Sequence, residues 1–539
     1  MRIGQYLFQR VKDLGVRHTF GIPGDFALPL YQALERLPIQ PIVVTHEPSA
    51  GFAADAYARL RGLGVALVTF GAGALNMVNS VAQAYAERSP VLVVSGAPEI
   101  KNRRLDALVH HKVRTFESQL TVYREITCAA AALNEPRVAL EEIDRVLTAV
   151  LRWKRPGYLE VPRDVVFTSV GRAHRTPLPD IRPDPAAIRE VMTEVVARLN
   201  RSQRPVLYAG IEIERLGLMP KLVTLAEKLN VPVVTSMEGK TVFPEGHPNF
   251  VGIYMGKVGS PEALAVVERS DCVLMLGAFL TDVSTGQFTA KVDPAKLISA
   301  SSEEVTVSYH RYPDVNLVSL MEFVLTTRAV KRHTYRPSSR RTARVPIRGG
   351  RLTTRGVMEE LNAFLTPGQF TVVADVGDCM YACVDLRTDI FLGPGYYNSM
   401  GFAVPAAIAA ELAWPKRRAV ALVGDGGFQM TGMDLGNARR HGLRPIIILF
   451  NNGGFATMQA IVGEKPYLTL PSWDYVGIAE SLGCRGVRVQ TRAAFRTALQ
   501  DALKSREAVL IEAVLAPTDI SPTWRRIAGA VRSRLRRPA

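Results

Sequence analysis

Residues 419–452 read "AVALVGDGGFQMTGMDLGNARRHGLRPIIILFNN". Two apolar runs, at 419–423 and 445–450, flank a more polar segment. Short apolar runs bounded by turn residues are the pattern of strands buried on both faces. Each run ends in polar groups, the first at Asp425 among glycines and the second at Asn452. In an open α/β sheet, ligands sit at the carboxyl ends of the strands, so Asp425 and Asn452 are expected to converge on one site. An aspartate and an asparagine present hard oxygens suited to Mg²⁺, which favours phosphate oxygens among its other ligands. Gly426 and Gly427 let the backbone approach closely and offer N–H groups to a phosphate at a helix start. Either half alone is an ordinary turn. Together, 27 residues apart, they predict Mg²⁺ and a diphosphate held at neighbouring strand ends.

The same alternation extends in both directions. A first block, 1–170, opens on the helical spacing of "IGQYLFQRVKDLG" and carries "HTFGIPG", "PIVVTH", "GVALVTFG" and "PVLVVSGA" as buried parallel strands. "PGYLEVPRDV" closes it, and "RTPLPDIRPDP" is a Pro-rich linker. A second block, 185–327, repeats the strand signature in "RPVLYAG", "VPVVTS" and "CVLMLGA". A basic linker, 328–351, precedes a third block, 352–539, with "FTVVADVGD", the opening stretch and "AVLIEAVL", and a C-terminal basic helix. The fold class is α/β, three consecutive doubly wound parallel-sheet domains, with no residue-level repeat among them.

Composition narrows the function classes. The net charge of +16 comes from two segments: 328–355 holds ten Lys or Arg and no acid, and 525–539 holds six Arg and no acid. The remainder is formally neutral, so the surplus belongs to a linker and a tail rather than to a folded nucleic-acid-binding face. The opening stretch of the chain mixes charge into every turn, and no apolar run approaches the roughly 20 residues of a membrane span. Five scattered cysteines read as reduced thiols. A cytoplasmic protein is expected.

The spacing of "GDGG" and "NN" resembles the thiamine diphosphate motif. The order of blocks is similar to the pyrimidine-binding, central and diphosphate-binding domains of thiamine diphosphate-dependent 2-keto acid decarboxylases, over nearly the whole chain. That resemblance implies thiamine diphosphate and Mg²⁺ as cofactors. It makes Asp425, Asn452 and the backbone oxygen of Gly454 the metal ligands. It makes Glu47, in "THEPSAGFAADAYAR", the activating glutamate at the aminopyrimidine ring. Met400, in "NSMGFAVPAA", becomes the bulky residue beneath the cofactor, and Gly377, Asp378, Asn398, Gly426 and Gly427 further cofactor contacts. Asp25, in "GIPGDFALP", with His110 and His111, in "HHKVRTFES", become proton-handling groups, since imidazole titrates in the useful range. The implied reaction is non-oxidative decarboxylation to an aldehyde and CO₂ through a thiamine diphosphate carbanion. In this family the cofactor lies between the first block of one chain and the third of another, which implies a homodimer at least and favours a homotetramer.

The chain departs from the pyruvate decarboxylase pattern. Six residues beyond the metal-binding asparagine, where those enzymes have a glutamate, stands Met458, which relays no proton. Phenylpyruvate decarboxylases show a similar apolar replacement. Asp282, in "GAFLTDVSTG", is a candidate to take over part of that role. Val283, Met380 and Thr457 stand where pyruvate-restricted enzymes carry larger side chains, and with Met458 and Ile461 they imply a roomy apolar substrate pocket. Phenylpyruvate, indolepyruvate or long-chain 2-keto acids are therefore the expected substrates. A carboligase or a benzoylformate-type decarboxylase is the alternative on the same fold. The intact Glu47, Asp425 and Asn452 argue against a non-catalytic nucleotide-binding protein.

Overall fold

The structure, a computed structural model, describes residues 1–171, 185–337 and 350–535. Most of the Pro-rich linker, residues 338–349 of the basic linker and the last four residues lie outside the described residues.

The first sheet contains β1 (His18–Gly21), β2 (Gln40–Val43), β3 (Gly64–Val68), β4 (Val91–Ala97), β5 (Ala129–Ala132) and β6 (Gly157–Pro162), all parallel, in the order β2-β1-β3-β4-β6-β5. The central strands β3, β4 and β6 are buried throughout, as their continuous apolar runs require. The strand β5 is four alanines, the residue of highest helix propensity. Parallel pairing with β6 along its whole length overrides that preference.

The central sheet contains β7 (Pro205–Ala209), β8 (Val233–Thr235), β9 (Phe250–Ile253), β10 (Cys272–Leu276), β11 (Leu297–Ala300), β12 (Val305–Val307) and β13 (His310–Tyr312), in the order β13-β12-β11-β10-β7-β8-β9. Its core is parallel, but β12 and β13 pair antiparallel at one edge. The connections between these last strands are too short for a parallel crossover, and Ser308, at φ +56, makes the tight turn.

The third sheet contains β14 (Phe370–Ala374), β15 (Phe391–Leu392), β16 (Arg418–Gly424), β17 (Ile446–Asn451), β18 (Arg485–Val489) and β19 (Val509–Val514), again wholly parallel, in the order β15-β14-β16-β17-β19-β18. The first and third sheets are joined by two Ala-rich helices, Glu47–Arg61 and Ala403–Ala413, that pack on each other. Every residue of Ala403–Ala413 is buried, as expected for a helix apolar all round. A single apolar core runs through both sheets by way of this contact. At the junction, Arg59 makes a two-pronged ion pair with the buried Asp55 and donates to Gly393 O across the interface.

Candidate active site

The strands β16 and β17 are neighbours in register, with Gly424 opposite Phe450. Asp425 and Asn452 therefore leave the sheet at the same end. One Asp425 oxygen accepts from Gly453 N (2.8 Å) and Gly454 N (3.1 Å), and Asn452 Oδ1 accepts from the same Gly454 N (3.3 Å). The two side chains thus meet over one peptide N–H, as the strand pattern predicts. Asp425 is buried, and burial pushes its carboxyl above the usual carboxylate range, partly offset by backbone N–H groups. Among the described residues no Lys or Arg forms an ion pair with it. A buried carboxylate without a counter-charge, beside an amide oxygen, is the donor set that a hard divalent cation completes.

Above it lies a cleft of about 660 Å³. Gly377, Asp378, Asn398, Met400, Asp425, Gly426, Gly427, Asn452 and Gly454 line it, and none of its lining residues is Lys or Arg. A diphosphate there would be met by the metal and by N–H groups. The glycines leave little room for a side chain: a Cβ on Gly427 would lie 3.0 Å from the Asp375 carboxyl carbon, and one on Gly426 3.0–3.1 Å from Phe455 and Met400. The residues present fit both Mg²⁺ and thiamine diphosphate.

Three buried acids, Asp375, Glu87 and Asp378, hold this cleft in shape. Asp375, at the end of β14, is fully buried and accepts from Val376 N, Gly401 N and Ala403 N (2.9–3.1 Å). It fixes the loop that carries Met400, and burial pushes its pKa up to about 6. Glu87, from the first domain, accepts from Tyr396 N (2.7 Å) and Tyr397 N (2.9 Å) and so anchors the same loop, in which Asn398 holds a left-handed φ of +61. Asp378 lines the cleft, but its carboxylate accepts from Ser521 N (2.8 Å) and Ser521 Oγ (2.5 Å). It thereby ties the cleft to the C-terminal helix Pro522–Leu535. A lone acid at a strand end reads as a cap, so only the buried strand end "TVVAD" pointed toward Asp375.

The cleft wall holds Asp282, Val283, Thr457, Met458 and Ile461, joined by Trp524, Ile527 and Val531 of the C-terminal helix. Trp524 Nε1 donates to Thr457 O (3.0 Å) and locks the helix to that wall. Met380 departs from expectation. It is fully buried in the core beneath β14 and β16 and is not a wall residue. Within the short helix Asp378–Ala382 it faces the sheet, while its neighbours Cys379 and Tyr381 reach the cleft.

The remaining candidates gather on the first domain, apart from this cleft. His110 Nε2 lies 2.9 Å from Asp25 Oδ2, and the ligand atoms of Asp25, His110 and His111 all fall within 4.8 Å of one another. His110 stacks on Phe26 (centroids 4.7 Å) and crosses His111 edge-on at the same distance. His111 sits at φ +68, and its Nδ1 is buried with no partner among the described residues. Gly71 makes that placement feasible: a Cβ there would lie 2.3 Å from His111 O. Glu47 begins its helix, and its Oε2 accepts from Asn76 Nδ2 (2.7 Å). None of these four lines the cleft formed by β16 and β17.

Comparison with known proteins places the two clusters in two different matched domains. The chain matches the N-terminal TPP binding domain of thiamine pyrophosphate enzymes over residues 1–120, their central domain over 192–327 and their C-terminal TPP binding domain over 375–513. It is 40% identical to an indole-3-pyruvate decarboxylase of Azospirillum brasilense over 98% of this chain and 97% of that one. It is 34% identical to an alpha-keto-acid decarboxylase of Mycobacterium avium, over 96% of this chain and 94% of the relative. With an alpha-keto-acid decarboxylase of Mycobacterium tuberculosis it shares 33% identity over 98% and 97%. The chain belongs to the thiamine pyrophosphate enzymes. Its cofactor is thiamine diphosphate, with Mg²⁺ as the family's usual metal.

Proposed function

We propose that this thiamine diphosphate-dependent 2-keto acid decarboxylase acts on arylpyruvates, indolepyruvate and phenylpyruvate above all. The observation that carries the reading is the apolar wall made by Met458, Ile461, Trp524, Ile527 and Val531 beside the cofactor end of the cleft. The similarity to an indole-3-pyruvate decarboxylase along nearly the whole chain supports it. An aromatic ring buries about 150 Å² or more, and roughly 25 cal/mol per Å² makes that worth a few kcal/mol before ordering costs. Pyruvate has no ring to place there.

When bound, thiamine diphosphate supplies a nucleophilic carbon and the electron sink that loss of CO₂ requires. The chain's own groups do the rest. Asp425 and Asn452, with Gly454 O, would hold Mg²⁺ and thereby the diphosphate. Glu47 keeps Oε2 on Asn76 and has Oε1 left to hold a proton at the pyrimidine ring. The Asp25–His110 pair, with His111, moves the proton that ends the reaction. Met458 puts no acid at its own position, so Asp282, exposed in the same cleft wall, is the carboxylate that takes over that role.

Neither half of this site is complete in one chain. The Asp25–His110 cluster lies open beside exposed Leu28, Leu105, Leu108 and Val113, while Met430, Met433, Tyr467 and Trp473 are exposed around the other half. Apolar surface of that kind marks an interface, which supports a homodimer with each site shared between chains, and a tetramer as its pairing. Among the described residues no helix is long and apolar enough to cross a membrane. The five unpaired cysteines support a cytoplasmic location. A panel of 2-keto acids assayed for CO₂ release with Mg²⁺ and thiamine diphosphate tests the reading. Arylpyruvates should exceed pyruvate in kcat/KM by at least about tenfold, and a panel led by pyruvate would overturn it.

A further inference from the structure

In the central-domain loop that carries Asp282 and Val283, Gly286, Gln287 and Phe288 all have φ of +58. Single left-handed residues are common in turns, but three in succession, two of them bearing side chains, are costly and need a surrounding structure that enforces them. Hydroxyl groups supply it. Thr281 N donates to Ser284 Oγ (2.8 Å), Ser284 N to Thr281 Oγ1 (3.0 Å), and Thr289 Oγ1 to Gly286 O (2.7 Å). Gln287 N closes the turn on Asp282 O (2.6 Å). Gly286 admits no side chain, because a Cβ would lie 2.1 Å from Met255 O. Phe288 lies under the Arg534 guanidinium of the C-terminal helix at 4.9 Å.

This bracing sets where Gln287 goes. It is half-buried and lines the cleft, alongside the same C-terminal helix whose Ile527 and Val531 line it too. None of the side-chain hydrogen bonds among the described residues involves its amide. The result is a neutral hydrogen-bonding group, unpaired and carried on a strained backbone, beside a wall in which the other polar side chains are Asp282 and Thr457. Burying a ring against that wall favours phenyl and indole alike. What separates them is the indole N–H, which needs an acceptor when it leaves water.

We propose that Gln287 is a specificity-determining residue whose side-chain carbonyl accepts a hydrogen bond from the ring N–H of an indole-bearing 2-keto acid, so that the cleft favours indolepyruvate over phenylpyruvate. The inference rests on the arylpyruvate reading above. A neutral hydrogen bond of this kind corresponds to a discrimination of about fivefold. The test compares kcat/KM for indolepyruvate and phenylpyruvate in the full-length enzyme loaded with Mg²⁺ and thiamine diphosphate. Gln287→Gly removes the amide and suits the left-handed backbone, and Gln287→Leu keeps the bulk. In both, the indolepyruvate-to-phenylpyruvate ratio should fall about fivefold. Wild-type enzyme given N1-methylindolepyruvate, which lacks the donor, should show the same shortfall. A ratio unmoved in both variants, an equal loss on both substrates, or a ratio that moves only with Asp282→Asn overturns the assignment to Gln287 while leaving the arylpyruvate reading intact. If wild-type enzyme decarboxylates neither arylpyruvate, that reading fails and takes this one with it.

Discussion

In the first sheet the strands run β2-β1-β3-β4-β6-β5, and in the third β15-β14-β16-β17-β19-β18, the same pattern shifted along the chain. The two sheets nevertheless carry different chemistry at their carboxyl ends. The third puts oxygen ligands after its two middle strands, β16 and β17, where Asp425 is 3% exposed and bonded to glycine N–H groups. The first puts titratable groups past three of its strands, Asp25 past β1, Glu47 past β2 and His110 past β4, and there the Asp25 and His110 side chains are 42% and 58% exposed. Burial suits a group that holds a metal permanently, because the cation compensates the charge. Exposure in the single chain suits groups that must meet a substrate. On the roles proposed above, one strand order serves a binding half and a proton-transfer half, and the difference resides in a few residues beyond strand ends.

If that division holds, substitutions in the two halves should fail differently. The largest effect is expected from Asp425→Ala. Cofactor content after gel filtration in Mg²⁺ should fall to background, with activity lost alongside it, and EDTA should do the same to the wild-type protein. Undiminished retention in either experiment would dissolve the binding half. Glu47→Gln should behave in the opposite way: cofactor is retained, while kcat falls by about 10²–10⁴-fold, the usual worth of a positioned proton-transfer group. Asp25→Asn should likewise leave cofactor content intact and lower kcat by roughly 10²-fold, through loss of the carboxylate that faces His110 at 2.9 Å. A variant of either residue that sheds cofactor as readily as Asp425→Ala would erase the distinction.

The two halves were also unequally legible in the sequence. Asp425 and Asn452 follow from local signals, since an apolar run, a polar stop and the geometry of parallel sheets suffice to bring them together. Asp25 and His110 lie 85 residues apart on loops of no regular period, and only resemblance to a family joined them. Position in a motif does not tell which face of a five-residue helix a side chain occupies, so the burial of Met380 is legible only in the structure. Asp375 and Glu87 escaped notice because their partners are backbone N–H groups of a distant loop, which leave no mark in the residues that supply them. The all-alanine strand β5 has a propensity opposite to its structure, and only its pairing with β6 decides the matter.

Two smaller effects sharpen the comparison on the third domain's side. Gly427→Ala places a methyl group 3.0 Å from the Asp375 carboxyl carbon, with backbone rather than a flexible chain end holding that carboxyl. Overpacking of this kind costs about 1–3 kcal/mol. The urea midpoint should drop accordingly, with cofactor affinity falling as well; an unchanged midpoint would mean that the Asp375 loop is looser than its hydrogen bonds imply.

The smallest effect concerns Asp375 itself and is read from pH. Burial raises its pKa from 3.8 to about 6 despite the N–H groups it accepts from. The folded protein therefore keeps this proton in a window where the unfolded chain has released it. With more protons bound in the folded state, the stability this raised pKa contributes is fully present below about pH 4 and is lost as pH rises through about 6. A shift of about two units corresponds to at most roughly 3 kcal/mol across the window. Asp375→Asn cannot titrate. The stability of wild type minus that of Asp375→Asn, from urea unfolding at several pH values, should then decline between about pH 4 and 7 and level off above. The other buried acids titrate in both proteins and cancel in the subtraction. A difference that stays flat would show that the backbone N–H groups stabilise the Asp375 carboxylate fully. The third domain would then hold its buried acids in the charged form without help from a proton or a metal, and the contrast drawn for Asp425 would lose its physical basis.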